Sequence, residues 1–224
     1  VYAGKPLEKS HRHFSHLMAI HPLGFLNIEG SDEDRALIDT SLYHLRQIGM
    51  GNWSGWSWAW IALIAGRTGR ANMAHTMLRF YTDHVMLHNT LQVSVDWKKT
   101  GIYTAEHGLI NTLEAGTGAA AAVIEMLLQS WGEKIRVFPA LPEDWRQSAF
   151  DTLRAEGAFL VSAEYADGVT QWVRIGSEAG NRCTIHNPWP DDVAVVRAAK
   201  MAGVHRFINE ETSLGYQTIV GERG

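Results

Sequence analysis

Residues 117–138, TGAAAAVIEMLLQSWGEKIRVF, contain the change of pattern that decides the fold. Residues 117–130 are rich in alanine and apolar on most faces, which predicts a helix buried between neighbouring elements. After Trp131 and Gly132 the sequence changes to short β-branched and aromatic runs, beginning with residues 135–138, which predict strands. A block of helices followed by a block of strands predicts two domains, and we place the boundary near residue 132.

Four earlier segments carry apolar residues at helical spacing. Ser31 followed by Asp34 is similar to a capping box, and glycines follow the helix that this pair begins. The predicted helices cover residues 13–20, 31–48, 56–64 and 73–85, in addition to the helix at 117–130. Because the connections are short, neighbouring helices are antiparallel, which is typical of a helical bundle or toroid.

The residues after 132 predict short strands divided by turn residues. Ala166, Asp167 and Gly168 lie between two of the runs and are a hairpin signal. The predicted strands are residues 135–138, 152–155, 158–165, 169–175, 182–186, 193–196, 204–208 and 216–220. Short strands at this spacing predict a small antiparallel β-sandwich.

Charge and composition exclude several classes of function. The chain has 224 residues and a net charge of −4, with 10 basic and 11 acidic side chains in residues 1–132 and 10 and 13 in residues 133–224. This even distribution gives no basic patch for a nucleic acid. The longest apolar runs are shorter than the ~18–20 residues of a membrane span. The single Cys183 excludes an intramolecular disulfide and a cysteine zinc site.

Histidine is in excess, and nine of the 11 histidines precede residue 108. Residues 11–16, HRHFSH, bring His11, Arg12, His13 and His16 together, and His13 and His16 share a face if the segment is helical. A metal site is one interpretation, because imidazole is a common zinc ligand, although no HExxH motif or completing carboxylate accompanies the cluster. A polar sugar or anion site is a second interpretation. Helix capping with hydrogen-bonded core histidines is a third.

Residues 51–60, GNWSGWSWAW, hold four tryptophans at a loop-to-helix junction. Trp56 and Trp60 are one turn apart, so we expect both to pack inward. Trp53 and Trp58 are then expected at the mouth of the space that the helices surround, where aromatic faces can stack on the C–H faces of sugars. The alternative is that these tryptophans are core residues, which is the favoured interpretation for Trp60.

Residues 104–118, TAEHGLINTLEAGTG, place Glu114 just before the alanine-rich helix. A carboxylate near a helix N-terminus that is half-buried is a candidate catalytic group, and a helix-capping role is the alternative. His107 precedes it and can line the same cavity. No GxSxG nucleophile motif or GxxxxGK[ST] phosphate loop is present in the sequence.

These three stretches, in this order, resemble the C-terminal part of glycoside hydrolase family 95, which contains α-L-fucosidases and related α-L-galactosidases. The similarity rests on HRHFSHLMAIHP (11–22), GWSWAW (55–60) and LEAGTGAAAAVIEMLLQS (113–130). IRVFPALPEDW (135–145) followed by FDTLRAEGAFLVSA (150–163) is similar to the family's junction with its C-terminal β domain. The resemblance extends over about residues 8–188.

The resemblance implies the later helices of an (α/α)6 toroid followed by a β-sandwich, with the sugar pocket at the centre of the toroid. The family mechanism is inverting and needs no cofactor: an acid protonates the leaving oxygen while a carboxylate system activates water on the opposite face. Glu114 occupies the position of the family's water-activating Asp. The family's acid is a Glu upstream of the HRH motif, so we expect the chain, which opens at Val1, to be an inactive C-terminal fragment of a secreted or periplasmic enzyme.

Further residues are assigned by the same resemblance. The positions that hold sugar hydroxyls in the family correspond to His11, His13, His16, Trp56 and His107. Two departures bear on catalysis: Glu114 replaces an Asp, and Gly116 replaces the family's Asn. These departures support the alternative of a non-catalytic carbohydrate-binding or structural module on the same fold.

Overall fold

The computed structural model describes residues 7–102 and 108–189 together with Arg206 and Glu210. Helices precede strands along the chain, which confirms the predicted order of a helical part and a small β part. The helices are α1 (Asp32–Ile48), α2 (Gly55–Arg67), α3 (Ala71–His84) and α4 (Leu113–Leu127). The strands are β1 (Leu128–Gln129), β2 (Arg136–Val137), β3 (Gln147–Ala155), β4 (Phe159–Ala166) and β5 (Val169–Ser177). None of the described helices has the length and apolar composition that crossing a membrane requires.

The backbone divides into two compact units. One comprises Val1–Leu127 with Pro139–Asp144, and the other comprises Leu128–Phe138 with Trp145–Gly224. The helices therefore belong to the first unit and the strands to the second.

Helix α1 begins where its capping residues predict. The Ser31 hydroxyl accepts from the backbone N–H of Asp34, and the Asp34 carboxylate accepts from the N–H of Ser31, so both halves of a capping box are present. The acidic first turn also lies at the positive end of the helix dipole. The helix ends at Gly49, whose φ of 81° is readily adopted only by a residue without a side chain.

Helix α2 is the central helix of the first unit and packs against both α3 and α4. All its residues are buried except Trp56, which is half-buried. At its C-terminal end the Arg67 guanidinium donates two hydrogen bonds to the Glu125 carboxylate of α4, at 3.1 and 2.5 Å. This bidentate pair joins α2 to α4 at the end remote from Trp56.

The predicted helix over residues 13–20 is wrong in type and length, because the structure has a 3₁₀ turn at Ser15–Leu17 followed by further turns. Proline disfavours the α conformation in the residue before it, so Pro22 confines any helix here to the residues before His21. Phe14, Leu17 and Ile20 are nevertheless buried, so the segment is part of the core.

The β unit contains an antiparallel sheet in the order β3–β4–β5. Asp167 and Gly168 have φ values of 53° and 83°, which is the type I′ turn that matches the twist of a hairpin, so the hairpin prediction is confirmed. The apolar side chains of one sheet face pack together with those of the β1–β2 pair. This cluster comprises Leu128, Ile135, Val137, Ala155, Phe159, Val161 and Ala163.

Several predicted strands differ from the structure or cannot be compared with it. Residues 182–186 contribute only a parallel bridge between Ile185 and Ile135. Arg206, within predicted strand 204–208, is helical and pairs with Glu210 at 2.7 Å. The predicted strands at 193–196 and 216–220 lie outside the described residues.

Candidate active site

A cavity of about 530 Å3 lies within the helical unit. Its wall combines charged, hydroxyl and aromatic side chains: Arg12, His13, Ser54, Trp56, Ser94, Ile110, Thr112 and Glu114. Four of the residues chosen from sequence therefore share one cavity, although they come from three separate stretches of chain. These four are Arg12, His13, Trp56 and Glu114.

Hydrogen bonds fasten the HRH segment to the start of α2. The Ser57 hydroxyl donates to the Arg12 carbonyl at 2.7 Å and accepts from the N–H of Ser54 at 3.1 Å. Asn52 adds two bonds to Ser10, one from its backbone N–H at 3.0 Å and one from its side-chain amide at 3.1 Å. The backbone of Arg12 is thus fixed beside the first turn of α2.

Trp56 lines the cavity because α4 has no side chain at Gly118. A Cβ added at Gly118 would overlap Cζ3 of Trp56 and would lie 3.1 Å from the Cβ of Ala59. The ring also contacts Trp60, with 5.8 Å between ring centroids. Trp56 is half-buried and forms part of the cavity wall, so the expectation that it packs inward holds only in part, and its role in sugar binding stays a prediction.

Trp53 and Trp58 are not at the mouth of a cavity that could hold a sugar beside Glu114. Trp58 is fully buried and Trp53 is 4% exposed, and their rings meet edge to face at 5.0 Å. Phe14 packs on Trp53 at 5.1 Å. Helical spacing predicts that Trp58 faces away from Trp56 and Trp60. Because α2 is covered by other elements on that side too, Trp58 is also a core residue. The prediction of sugar stacking by Trp53 and Trp58 is therefore replaced by a core role.

Glu114 lies in the first turn of α4 and is exposed, so the predicted half-burial is wrong. The N-terminus of a helix favours a carboxylate, because unpaired N–H groups give that end a partial positive charge. Its carboxylate is on the cavity wall and accessible to solvent. In this position it can accept a proton from water.

The histidines divide between the cavity and its surroundings. Burial, with smaller contributions from Arg12 and His11, lowers the pKa of His13, so its imidazole is neutral at neutral pH and can both donate and accept. His11 is exposed, and its Nδ1 accepts from the His13 N–H at 3.0 Å. His16 is half-buried, and burial lowers its pKa. Neither His11 nor His16 is among the cavity-lining residues in the described part of the chain, and His107 lies outside that part.

Four lining residues were not among the predicted site residues. Ser54 and Thr112 belong to the quoted tryptophan and TAEHG stretches, but they carried no signal of their own. Ser94 is brought in by the strand-like pairing of residues 93 and 111, and its hydroxyl donates to the Gly108 carbonyl at 3.0 Å. Such long-range pairing leaves no local pattern in the sequence.

A metal centre has no support in the described residues. Within residues 7–102 and 108–189, no group of three or more His, Cys, Asp or Glu side chains is arranged to hold an ion. The His11 and His13 rings lie edge to face with 5.5 Å between their centroids, and Nδ1 of His11 is engaged by the backbone N–H of His13.

Comparison with known proteins identifies the family of the chain. The model of the glycosyl hydrolase family 95 catalytic domain matches residues 4–127, and the model of the glycoside hydrolase family 95 C-terminal domain matches residues 129–223. The chain is also 31% identical over 162 residues to Alpha-L-fucosidase 2 of Arabidopsis thaliana, covering 72% of the chain and 18% of that protein. The chain thus spans less than a fifth of the length of this relative. These matches show that the chain belongs to glycoside hydrolase family 95.

Proposed function

We propose that the chain is part of an inverting exo-glycosidase that removes terminal α-L-fucosyl or α-L-galactosyl-like residues. The observation that supports this most directly is the convergence of Arg12, His13, Trp56 and Glu114 on one cavity. A carboxylate, hydrogen-bond donors and an aromatic ring are the groups that recognise and hydrolyse a neutral sugar. The name of the fucosidase relative supports the choice of sugar.

Each group has a distinct role in the proposed reaction. Glu114 accepts a proton from water as that water attacks the anomeric carbon on the face opposite the leaving group. A carboxylic acid donates a proton to the glycosidic oxygen as the bond from carbon to oxygen breaks. By the family resemblance this acid lies on a segment before the HRH motif, so we expect the 224 residues alone to be inactive.

In the proposed reaction the other cavity residues chosen from sequence, Arg12, His13 and Trp56, bind the sugar. The neutral imidazole of His13 can donate to one hydroxyl and accept from another, and Arg12 supplies further N–H donors. Trp56 offers its ring to the C–H face of the sugar. Because these groups line the same cavity as the carboxylate, they can orient the anomeric carbon toward the attacking water.

The proposed domain organisation follows the same resemblance. We assign residues 1–132 to the C-terminal part of an (α/α)6 catalytic domain and residues 133–224 to a β-sandwich domain. The division of the backbone after Leu127 and the limits of the two family matches support a helical part followed by a β part, with the change five residues before the boundary assigned here. We assign the whole protein to the secreted or periplasmic space, on the family resemblance alone.

A second candidate function is a carbohydrate-binding module without catalysis, and Gly116 favours it. A Cβ added at Gly116 would lie 2.7 Å from Cδ of Gln92, so the Gln92 carboxamide fills the space that a side chain at position 116 would need. Position 116 thus carries no side chain where, by the resemblance, the family has an Asn after its acidic residue.

Hydrolysis of an aryl α-L-fucoside and an aryl α-L-galactoside by the full-length protein distinguishes these candidates. Proton NMR during the first minutes should show the β-anomer of the free sugar before mutarotation, because inversion converts an α-glycoside to a β-sugar. Initial release of the α-anomer would contradict an inverting mechanism. Sugar binding without turnover, in a protein that carries the upstream acid, would favour the binding module.

A further inference from the structure

The first turn of α2 contacts both of the other stretches of chain that line the cavity. Trp56 lies in this turn and is itself part of the cavity wall. On one side the turn is bonded to the HRH segment, which carries Arg12 and His13. On the other side it packs against the residues that lead into α4, which carries Glu114 in its first turn. The relative positions of these cavity residues therefore depend on the first turn of α2.

Ser57 holds the HRH segment from within the protein. Its side chain is fully buried, and its hydroxyl donates to the Arg12 carbonyl at 2.7 Å while accepting from the Ser54 N–H at 3.1 Å. A serine hydroxyl has one proton, and because the Arg12 carbonyl accepts it, Ser57 acts on the segment and not on a sugar. Phe14, two residues after Arg12, is also fully buried and anchors the same segment. Loss of the Ser57 bond is thus expected to shift Arg12 and His13 without releasing the segment.

Gly55 allows the start of α4 to lie close to the start of α2. A Cβ added at Gly55 would lie 2.7 Å from Oγ1 of Thr112 and 2.8 Å from the carbonyl oxygen of Val93. The Val93 contact is with backbone, which cannot move aside as the end of a flexible side chain can. Thr112 directly precedes α4, and its carbonyl accepts from the Ala115 N–H at 2.9 Å. A side chain at position 55 would therefore displace the first turn of α4.

We propose that the first turn of α2 positions both functional parts of the cavity, with Ser57 and Gly55 as its positioning residues. Ser57 sets the place of Arg12 and His13, and hence the affinity for the sugar. Gly55 sets the place of Glu114, and hence the alignment of the attacking water with the bound sugar. This inference rests on the proposed glycosidase function.

Ser57→Ala in the full-length enzyme tests the first assignment. Since Arg12 and His13 bind the sugar before and during the reaction alike, their displacement should raise KM for an aryl α-L-fucoside by roughly 3- to 10-fold and change kcat less. The inhibition constant of free L-fucose should rise by a similar factor. Asp34→Ala is the matched control, because the Asp34 carboxylate makes the same capping bond in α1, where it accepts from the Ser31 N–H at 3.0 Å. Both variants should lower Tm, but Asp34→Ala should leave KM unchanged.

Gly55→Ala in the full-length enzyme tests the second assignment. Displacement of Glu114 should lower kcat by roughly 10- to 100-fold and change KM less, because a shift of about 1 Å in a catalytic group can cost that much. Gly66→Ala in the same helix is the matched control and should retain kcat, since its added Cβ would lie 3.7 Å from Cγ of Met126. If Gly55→Ala does not fold, the double variant with Thr112→Ala replaces it. That variant lacks the 2.7 Å contact and should show a smaller loss of kcat.

The division of effects between KM and kcat separates positioning from a general loss of stability. If both variants lower Tm but keep the kinetic constants of wild type, or change KM and kcat in the same proportion, the turn only stabilises the fold and the inference is wrong. A variant that fails its own test overturns the assignment of that residue. If wild type hydrolyses neither fucosides nor galactosides, the proposed function fails, and the inference fails with it.

Discussion

Gly118→Ala tests whether the absence of a side chain on α4 positions Trp56 in the cavity. A Cβ at position 118 would overlap Cζ3 of Trp56 and would lie 3.1 Å from both Cε3 of Trp56 and the Cβ of Ala59. Carbon atoms pack best at about 3.5–4.0 Å, so the atom Cζ3 of Trp56 must move by roughly 1 Å to relieve the overlap. The indole then tilts away from α4, and the cavity changes shape.

The expected cost follows from two opposing effects. Overpacking a close contact costs about 1–3 kcal/mol, while alanine in place of glycine within a helix gains about 1 kcal/mol. We therefore expect Gly118→Ala to lower the free energy of unfolding by up to about 2 kcal/mol. Gly66→Ala in α2 is the matched control, since its added Cβ would meet Met126 Cγ at an ordinary 3.7 Å. This control should gain up to about 1 kcal/mol.

Urea unfolding of the 224-residue chain, followed by helical circular dichroism, measures both variants. Turnover or sugar binding by the full-length protein gives a second readout, in which Gly118→Ala should be impaired and Gly66→Ala should not. If Gly118→Ala stabilised the chain as much as Gly66→Ala and left sugar handling unchanged, the claim that Gly118 positions Trp56 would be refuted.

Three further predictions concern charges. Glu125→Ala removes the carboxylate that pairs with Arg67, whose side chain is 7% exposed, and should lower the free energy of unfolding in urea by about 3 kcal/mol. Glu125→Gln should lower it by less. Equal losses for the two variants would contradict a role for the charge of Glu125. Burial of the imidazole, and to a smaller extent the charge of Arg67, lower the pKa of His21 to about 4. The unfolded chain therefore binds a proton at His21 more tightly than the folded chain does. The free energy of unfolding should fall by up to about 3 kcal/mol as pH falls from 6.5 to 4. His21→Gln should flatten that part of the stability profile, and an unchanged slope would rule out His21 as its source. The hydrogen bond that the Ser162 hydroxyl donates to the Asp151 carboxylate is the main cause of the lowered pKa of Asp151. The ionised carboxylate therefore stabilises the folded state above about pH 4, and this stabilisation is lost as pH falls through the lowered pKa. Ser162→Ala should raise the Asp151 pKa in an NMR titration, and no change would contradict that assignment.

Local signals in the sequence predict the elements whose causes are themselves local. Ser31 and Asp34 cap a helix by bonds between neighbours, and Asp167 and Gly168 form a turn from their own backbone preferences. The site stretches were found because polar and aromatic side chains were concentrated in them. Arg12 and Glu114 do share a cavity.

Elements that depend on distant partners were predicted less well. Leu128 and Gln129 fit the apolar helix that precedes them, yet they form a strand because Arg136 and Val137 pair with them. Likewise, helical phase alone could not tell which tryptophan faces the cavity. For Trp56 the position of the ring depends on Gly118, which is distant in the sequence and leaves room for the ring because it has no side chain. Tertiary contacts of this kind have no signature in a single sequence.

Turnover by Glu114→Gln in the full-length protein is the most direct test of catalysis at this cavity. Glutamine keeps the size of the side chain but cannot accept a proton from water, so kcat on an aryl α-L-fucoside should fall by about 100- to 10,000-fold while the Tm stays close to that of wild type. Glu133→Gln, at an exposed position of the β unit, is the control and should retain full activity. A Glu114→Gln enzyme with a kcat close to that of wild type would contradict the proposal that Glu114 activates water.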